Sequence, residues 1–96
     1  MKIESLAGLA IYNGTQSKKL FNADKFHSML ISMEGGKEMK AHHSATDVMG
    51  YLITGKIELT IEDKECSLSE GDAFFIPAKK VHALYAISNS SFILIR

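Results

Sequence analysis

The sequence predicts an antiparallel all-β domain, either a sandwich or a barrel. Three observations lead there. Apolar and polar residues alternate with period two, most cleanly where Ile57, Leu59 and Ile61 interleave with Glu58, Thr60 and Glu62, the pattern of a strand with one buried face. The apolar runs are short and numerous, with turn-forming residues between them. Only IESLAGLA has helical spacing, with Ile3, Leu6, Ala7 and Ala10 on one side, which predicts no more than a short N-terminal helical turn.

Taken in order, TQSKKLFN is a weak first strand and KFHSMLISMEGG a stronger one closed by a glycine pair. VMGYLI follows and stops at Gly55, and the alternating run from Ile57 to Glu62 leads into EDKE as a polar turn. CSLS precedes a second turn at Glu70, Gly71 and Asp72, residues that favour tight bends. AFFI is a short apolar strand ended by Pro77, which has no N–H for the ladder. VHALYAI and SFILIR close the series around the turn-forming SNSS. No linker, repeat or low-complexity tract interrupts the chain.

Composition sets the limits on function. Ninety-six residues make one domain, since domains commonly run to about 100–150 residues. Eleven basic and eleven acidic residues cancel, so no net field favours nucleic acid or an anionic membrane as partner. No apolar run approaches the roughly 20 residues of a membrane span. Glu4 interrupts the would-be apolar region of the N-terminus, which argues against a signal peptide. Cys66 is the single cysteine, so no internal disulfide forms, and a reduced thiol packed as a small apolar group is expected. These features predict a soluble cytoplasmic protein. Several strands are apolar on both faces (VMGYLI, AFFI, ALYAI and FILI). A single barrel has one interior, so a covered outer face is expected, and a homodimer is the simplest cover.

From Lys18 onward the chain resembles a small single-domain cupin. The family's first motif has a glycine, two histidines one residue apart, a glutamate and a closing glycine. At those spacings this chain has Gly36, His42, Ser44, Val48 and Gly55. The second motif, of glycine, proline, glycine, histidine and asparagine, falls on Gly71, Pro77, Lys79, His82 and Ala86. The resemblance implies a jelly-roll barrel over residues 18–96, preceded by an N-terminal segment over 1–17. It also implies that His42 and His82 face each other inside. Two of the usual ligand positions are changed, the second histidine to Ser44 and the glutamate to Val48.

On a strand, residues two apart point the same way, so His42 and Ser44 are expected to face inward and His43 outward. Ser44 and Val48 are then pocket-lining residues beside His42 and His82. A divalent transition metal (Zn, Fe, Mn or Ni) would find its ligands in His42 and His82, and Asp47 could join only if the register turned it inward. The plainer role for Asp47 is to staple the SATD turn. Catalytic metal sites normally supply three protein ligands, so any ion should be weakly or substoichiometrically held. His27 shares a strand face with Met29, Ile31 and Met33; it is expected on the wet rim, or as a third imidazole near the barrel mouth if that face turns inward, with Lys79 and Lys80 as charged rim residues. Met39, Met49, Phe74 and Phe75 are expected in the core. Two function classes follow. In one, the cavity binds a small organic acid or similar ligand through its histidines. In the other, a metal on His42 and His82 supports dioxygenase- or isomerase-type chemistry.

Overall fold

A computed structural model describes residues 5–96. After a short helix, α1 (Leu6–Leu9), nine strands follow: β1 (Thr15–Asn22), β2 (His27–Met33), β3 (Glu38–His42), β4 (Val48–Thr54), β5 (Lys56–Ile61), β6 (Lys64–Ser69), β7 (Ala73–Ile76), β8 (His82–Ala86) and β9 (Ser90–Ile95). They form a five-stranded sheet, β1-β2-β9-β4-β7, and a four-stranded sheet, β3-β8-β5-β6. Every pairing is antiparallel. This is the expected jelly roll.

The two inner faces make the core. Ile31, Met33, Val48, Leu52, Phe74, Ile76 and Phe92 of the larger sheet meet Ile57, Leu59, Leu68, Leu84 and Ala86 of the smaller one. Alternation places them there: Val48 and Leu52 are buried while Met49 and Tyr51 between them are exposed. Phe74 stacks edge-on against Phe92, centroids 6.0 Å apart, an arrangement aromatic quadrupoles favour. Gly36, Gly55 and Gly71 all have positive φ, as their places at strand ends required.

Several expectations need correction. Met49 and Phe75 are not core residues; they are 42% and 52% exposed, because each sits one position out of phase with a buried neighbour. Met39 packs only partly against the core. Cys66 is exposed, since β6 is an edge strand and only Leu68 of it is buried. EDKE is not wholly a turn: Glu62 and Asp63 make the bend and Lys64 opens β6. Glu62 takes φ 55° there. The first strand, Thr15–Asn22, is the TQSKKLFN run read from the sequence. The helix is a single turn with its N-cap at Ser5 and no buried residue; Ile3, placed on its apolar side from the sequence, lies outside the described residues. Among the described residues no helix is long and apolar enough to cross a membrane.

The outer faces of the sheets differ. On the larger sheet Met49 lies between Phe75 and Ile95, and Tyr51 between Ala73 and Ile93, an unbroken apolar area. On the smaller sheet the exposed Tyr85 sits between Glu38 and Glu58. The N-terminal segment lies over part of the larger sheet, where Tyr12 Oη lies 3.0 Å from Thr54 Oγ1 of β4 and Leu9 and Ile11 line a hollow with Leu30 of β2. It does not reach Phe75, Met49 or Tyr51, which stay exposed.

Candidate functional site

The site lies between the sheets at the open end of the roll, where β3 and β8 run side by side. On β8, period two turns His82, Leu84 and Ala86 inward, and all are buried. His42 arrives less directly. Met39 and His42 are an odd number of residues apart and would face opposite sides of a regular strand. The register of β3 against β8 shifts between them, with Met39 opposite Leu84 and His42 opposite His82. Lys40 and Ala41 thus share one position opposite Ala83, a β-bulge that turns His42 back toward the interior.

The two imidazoles become cross-strand neighbours, their centroids 4.3 Å apart and planes tilted 58°. Their environments differ. His82 is 5% exposed, whereas His42 is exposed at the rim rather than enclosed as expected. His42 Nδ1 lies 2.8 Å from the carbonyl oxygen of Lys40, and His82 Nδ1 lies 3.0 Å from that of Lys80. A carbonyl can only accept, so each Nδ1 carries the proton and donates. In the neutral ring this fixes one tautomer and leaves a lone pair on Nε2. No fully buried side-chain nitrogen or oxygen lacks a partner among the described residues. No described residue bonds Nε2 of His82, so that atom is reachable from the cavity.

That cavity holds about 300 Å³, at the small end of the usual range for ligand pockets, which starts at about 300 Å³. Met29, Ile31, Met39, Val48, Ile76, Leu84 and Leu94 supply apolar walls; His42, Ser44, His82, Arg96 and, from β1, Thr15, Gln16 and Ser17 supply polar groups. Ser44 lines it from the loop after β3, not from the strand. Val48 lines it from the first position of β4. A larger hollow under the N-terminal segment is lined by Leu9, Ile11, Gln16, Ser17, Lys18 and Leu30 among others and has no histidine.

Asp47 is committed elsewhere. Its Oδ1 accepts a hydrogen bond from the Ala78 amide at 2.8 Å, while the Lys79 amide donates to the Ser44 carbonyl at 2.8 Å. The staple therefore joins two loops, and not the SATD turn to itself. Lys79, where the family has glycine, takes φ 67°. Lys80 sits 3.9 Å from Glu62 in an exposed ion pair, a contact of little energetic consequence. His43 is exposed and faces an outer hollow that it shares with Asp24, Lys25, His27 and Arg96. Among the described residues no three His, Cys, Asp or Glu side chains are placed to hold one metal ion. Two imidazole nitrogens fall short of the three protein ligands that resident catalytic metals require, so the donor set does not fit a permanent metal cofactor.

Sequence reasoning missed Arg96, which lines the cavity. The signal was present in SFILIR, where Phe92, Leu94 and Arg96 follow one another at period two.

The cupin domain family matches residues 29–95 of the chain, which includes every strand that builds the cavity walls except β1. The chain belongs to the cupin family. Solved structures agree in fold. A conserved protein of unknown function from Streptococcus pyogenes is similar at 26% identity and a TM-score of 0.89, with 98% of this chain and 84% of that one covered. The TT1209 protein of Thermus thermophilus is 25% identical with a TM-score of 0.87, covering 99% of this cupin and 95% of its own chain. KdgF from Halomonas sp. is 25% identical with a TM-score of 0.81, over 88% and 81% of the two chains. No curated protein is similar enough in sequence to match.

Proposed function

We propose that this cupin binds a small organic molecule in the cavity between its sheets and hydrogen-bonds it through Nε2 of His42 and His82. The observation that carries this reading is the pair of Nδ1 contacts. Both rings spend Nδ1 on the preceding chain and leave an acceptor nitrogen for the cavity, beside mostly apolar walls. Such a site orients a ligand with few polar contacts while burying its body. The same two nitrogens would hold a divalent transition metal weakly, with water completing its shell. The metal-dependent enzyme reading draws less support, because Asp47 is spent on Ala78 and neither Ser44 nor Val48 replaces a ligand.

Metal analysis of untagged protein tests this directly. Substoichiometric metal is expected, removable by a chelator with no change in the unfolding transition. His82→Ala and His42→Ala should each abolish what binding remains, and His43→Ala should leave it unaltered. A stoichiometric ion that resists chelation would return the enzyme reading to the front.

We further propose that the apolar outer face of the larger sheet is covered by a second copy of the chain, with no nucleic acid or membrane as partner. The face around Met49, Tyr51 and Phe75 carries no charge to oppose its own image, and dimers of standard size bury about 1,600 Å² in total. Light scattering should give the mass of two chains at micromolar concentration, and Tyr51→Glu should give one. A parent protein that is monomeric throughout would remove the dimer.

A further inference from the structure

We propose that Arg96 makes the mouth of this cavity an anion-recognition site, so that the ligand is a small hydroxy acid. Its carboxylate rests on the guanidinium, its hydroxyl donates to a histidine Nε2, and its apolar body lies between. The inference deepens the reading of the cavity as a ligand pocket and rests on it.

Strand parity aims the side chain. Phe92, Leu94 and Arg96 share one face of the β9 run; Phe92 belongs to the core and Leu94 packs against it. The backbone of Arg96 is fixed by a reciprocal pair with His27, its amide donating to the His27 carbonyl at 2.9 Å and its carbonyl accepting from the His27 amide. From there the side chain lines the inner cavity and both adjoining hollows at the rim.

The charges around it are uneven. Among the described residues lining the inner cavity there is no aspartate or glutamate, and Arg96 is the one permanently charged side chain. In one adjoining hollow Asp24 and Lys25 offset each other, and the other adds Lys19. His27 and His43 add further polar ring atoms to the first, and Arg96 stands where the spaces meet. A guanidinium offers a planar fork of donors that matches a carboxylate at two points, and lysine cannot reproduce it. The histidines set the other end of the ligand. With Nδ1 already donating, Nε2 of the neutral ring accepts, and an accepting nitrogen is satisfied by a hydroxyl and not by a second carboxylate.

The test titrates the untagged protein with glycolate, lactate and mandelate and with the three matching primary amides, following the ring signals of His42 and His82 by nuclear magnetic resonance. Each acid should bind about tenfold or more tightly than its amide, the difference expected of a charge-assisted bidentate contact. Arg96→Gln should bring the acids down to the amides' level. Arg96→Lys should recover part of the loss, because it keeps the charge without the fork. Lys25→Gln should leave both series unchanged. The Arg96 side chain is exposed and its sheet bonds are backbone bonds, so these variants should unfold at the parent's temperature.

Acids and amides that bind alike, or an Arg96→Gln protein that binds acids as the parent does, would overturn anion recognition. The pocket reading would survive that result provided His82→Gln abolished binding of both series. Acid binding that survives His82→Gln yet disappears with Arg96→Gln would keep the role of Arg96 and remove the histidine pocket. Failure of every acid and amide to perturb the histidine signals would end both.

Discussion

Gly55→Ala should cost about 3 kcal/mol or more of stability. Gly55 lies between β4 and β5, where the chain leaves one sheet for the other, with φ 89°. A Cβ there would fall 2.3 Å from the carbonyl oxygen of Asn89, 2.3 Å from Ser90 Oγ and 2.7 Å from Ser90 Cα. Two of those atoms are backbone at the start of β9 and cannot rotate aside. The left-handed conformation adds about 1–2 kcal/mol for any L side chain. Gly36 separates the two effects. It has the same φ of 89° but nothing within 4 Å of its would-be Cβ, so Gly36→Ala should cost only about 1 kcal/mol. For a domain of this length each kcal/mol lowers the midpoint by about 4–8 °C, so thermal unfolding should resolve the two variants. Equal shifts would mean that the contacts with Asn89 and Ser90 are immaterial.

Phe92→Ala should cost about 3–5 kcal/mol, the range for truncating a buried aromatic. Phe92 is fully buried, and its strand pairs with both β2 and β4. Its ring lies in the space between the sheets beside that of Phe74, which belongs to the same sheet. That space is hemmed by two hydrogen-bonded ladders, so it cannot collapse to refill the void. Phe92→Leu keeps most of the volume and should lose markedly less. A urea transition for Phe92→Ala within 1 kcal/mol of the parent would show that the core reorganises around the gap, against the about 3–5 kcal/mol set out above.

Much of this architecture was legible in the residues. The alternation from Ile57 to Ile61 and the glycines at Gly36, Gly55 and Gly71 express purely local requirements, a pleat and a positive φ, and local requirements leave their mark on sequence. The pairing of His42 with His82 rested on resemblance to a family. Its physical cause, the bulge at Lys40 and Ala41, is invisible to a period-two reading, because a bulge is fixed by the partner strand. The exposure of Met49 and Phe75 was missed for a related reason. Both strands are apolar on each face, so composition could not say which face met the core. Asp47 was read as a local staple, but its partner Ala78 is remote in sequence, and no spacing rule reports such a contact. Gly50 left no signal either, although a Cβ there would lie 2.2 Å from Phe74 Cζ.

The strand order of the larger sheet also bears on how the protein is made. β9 lies at its centre, between β2 and β4. As the polypeptide leaves the ribosome, the β1–β2 and β5–β6 hairpins have their partners at hand. The β1–β2 and β4–β7 halves of the larger sheet have nothing to join them until β9 is released. Until then β2 and β4 each present an unpaired edge flanked by apolar side chains, the kind of surface that recruits wrong partners. Before β9 emerges the nascent chain is therefore open to aggregation, and docking of that one strand completes the sheet and seats Phe92 in the core together.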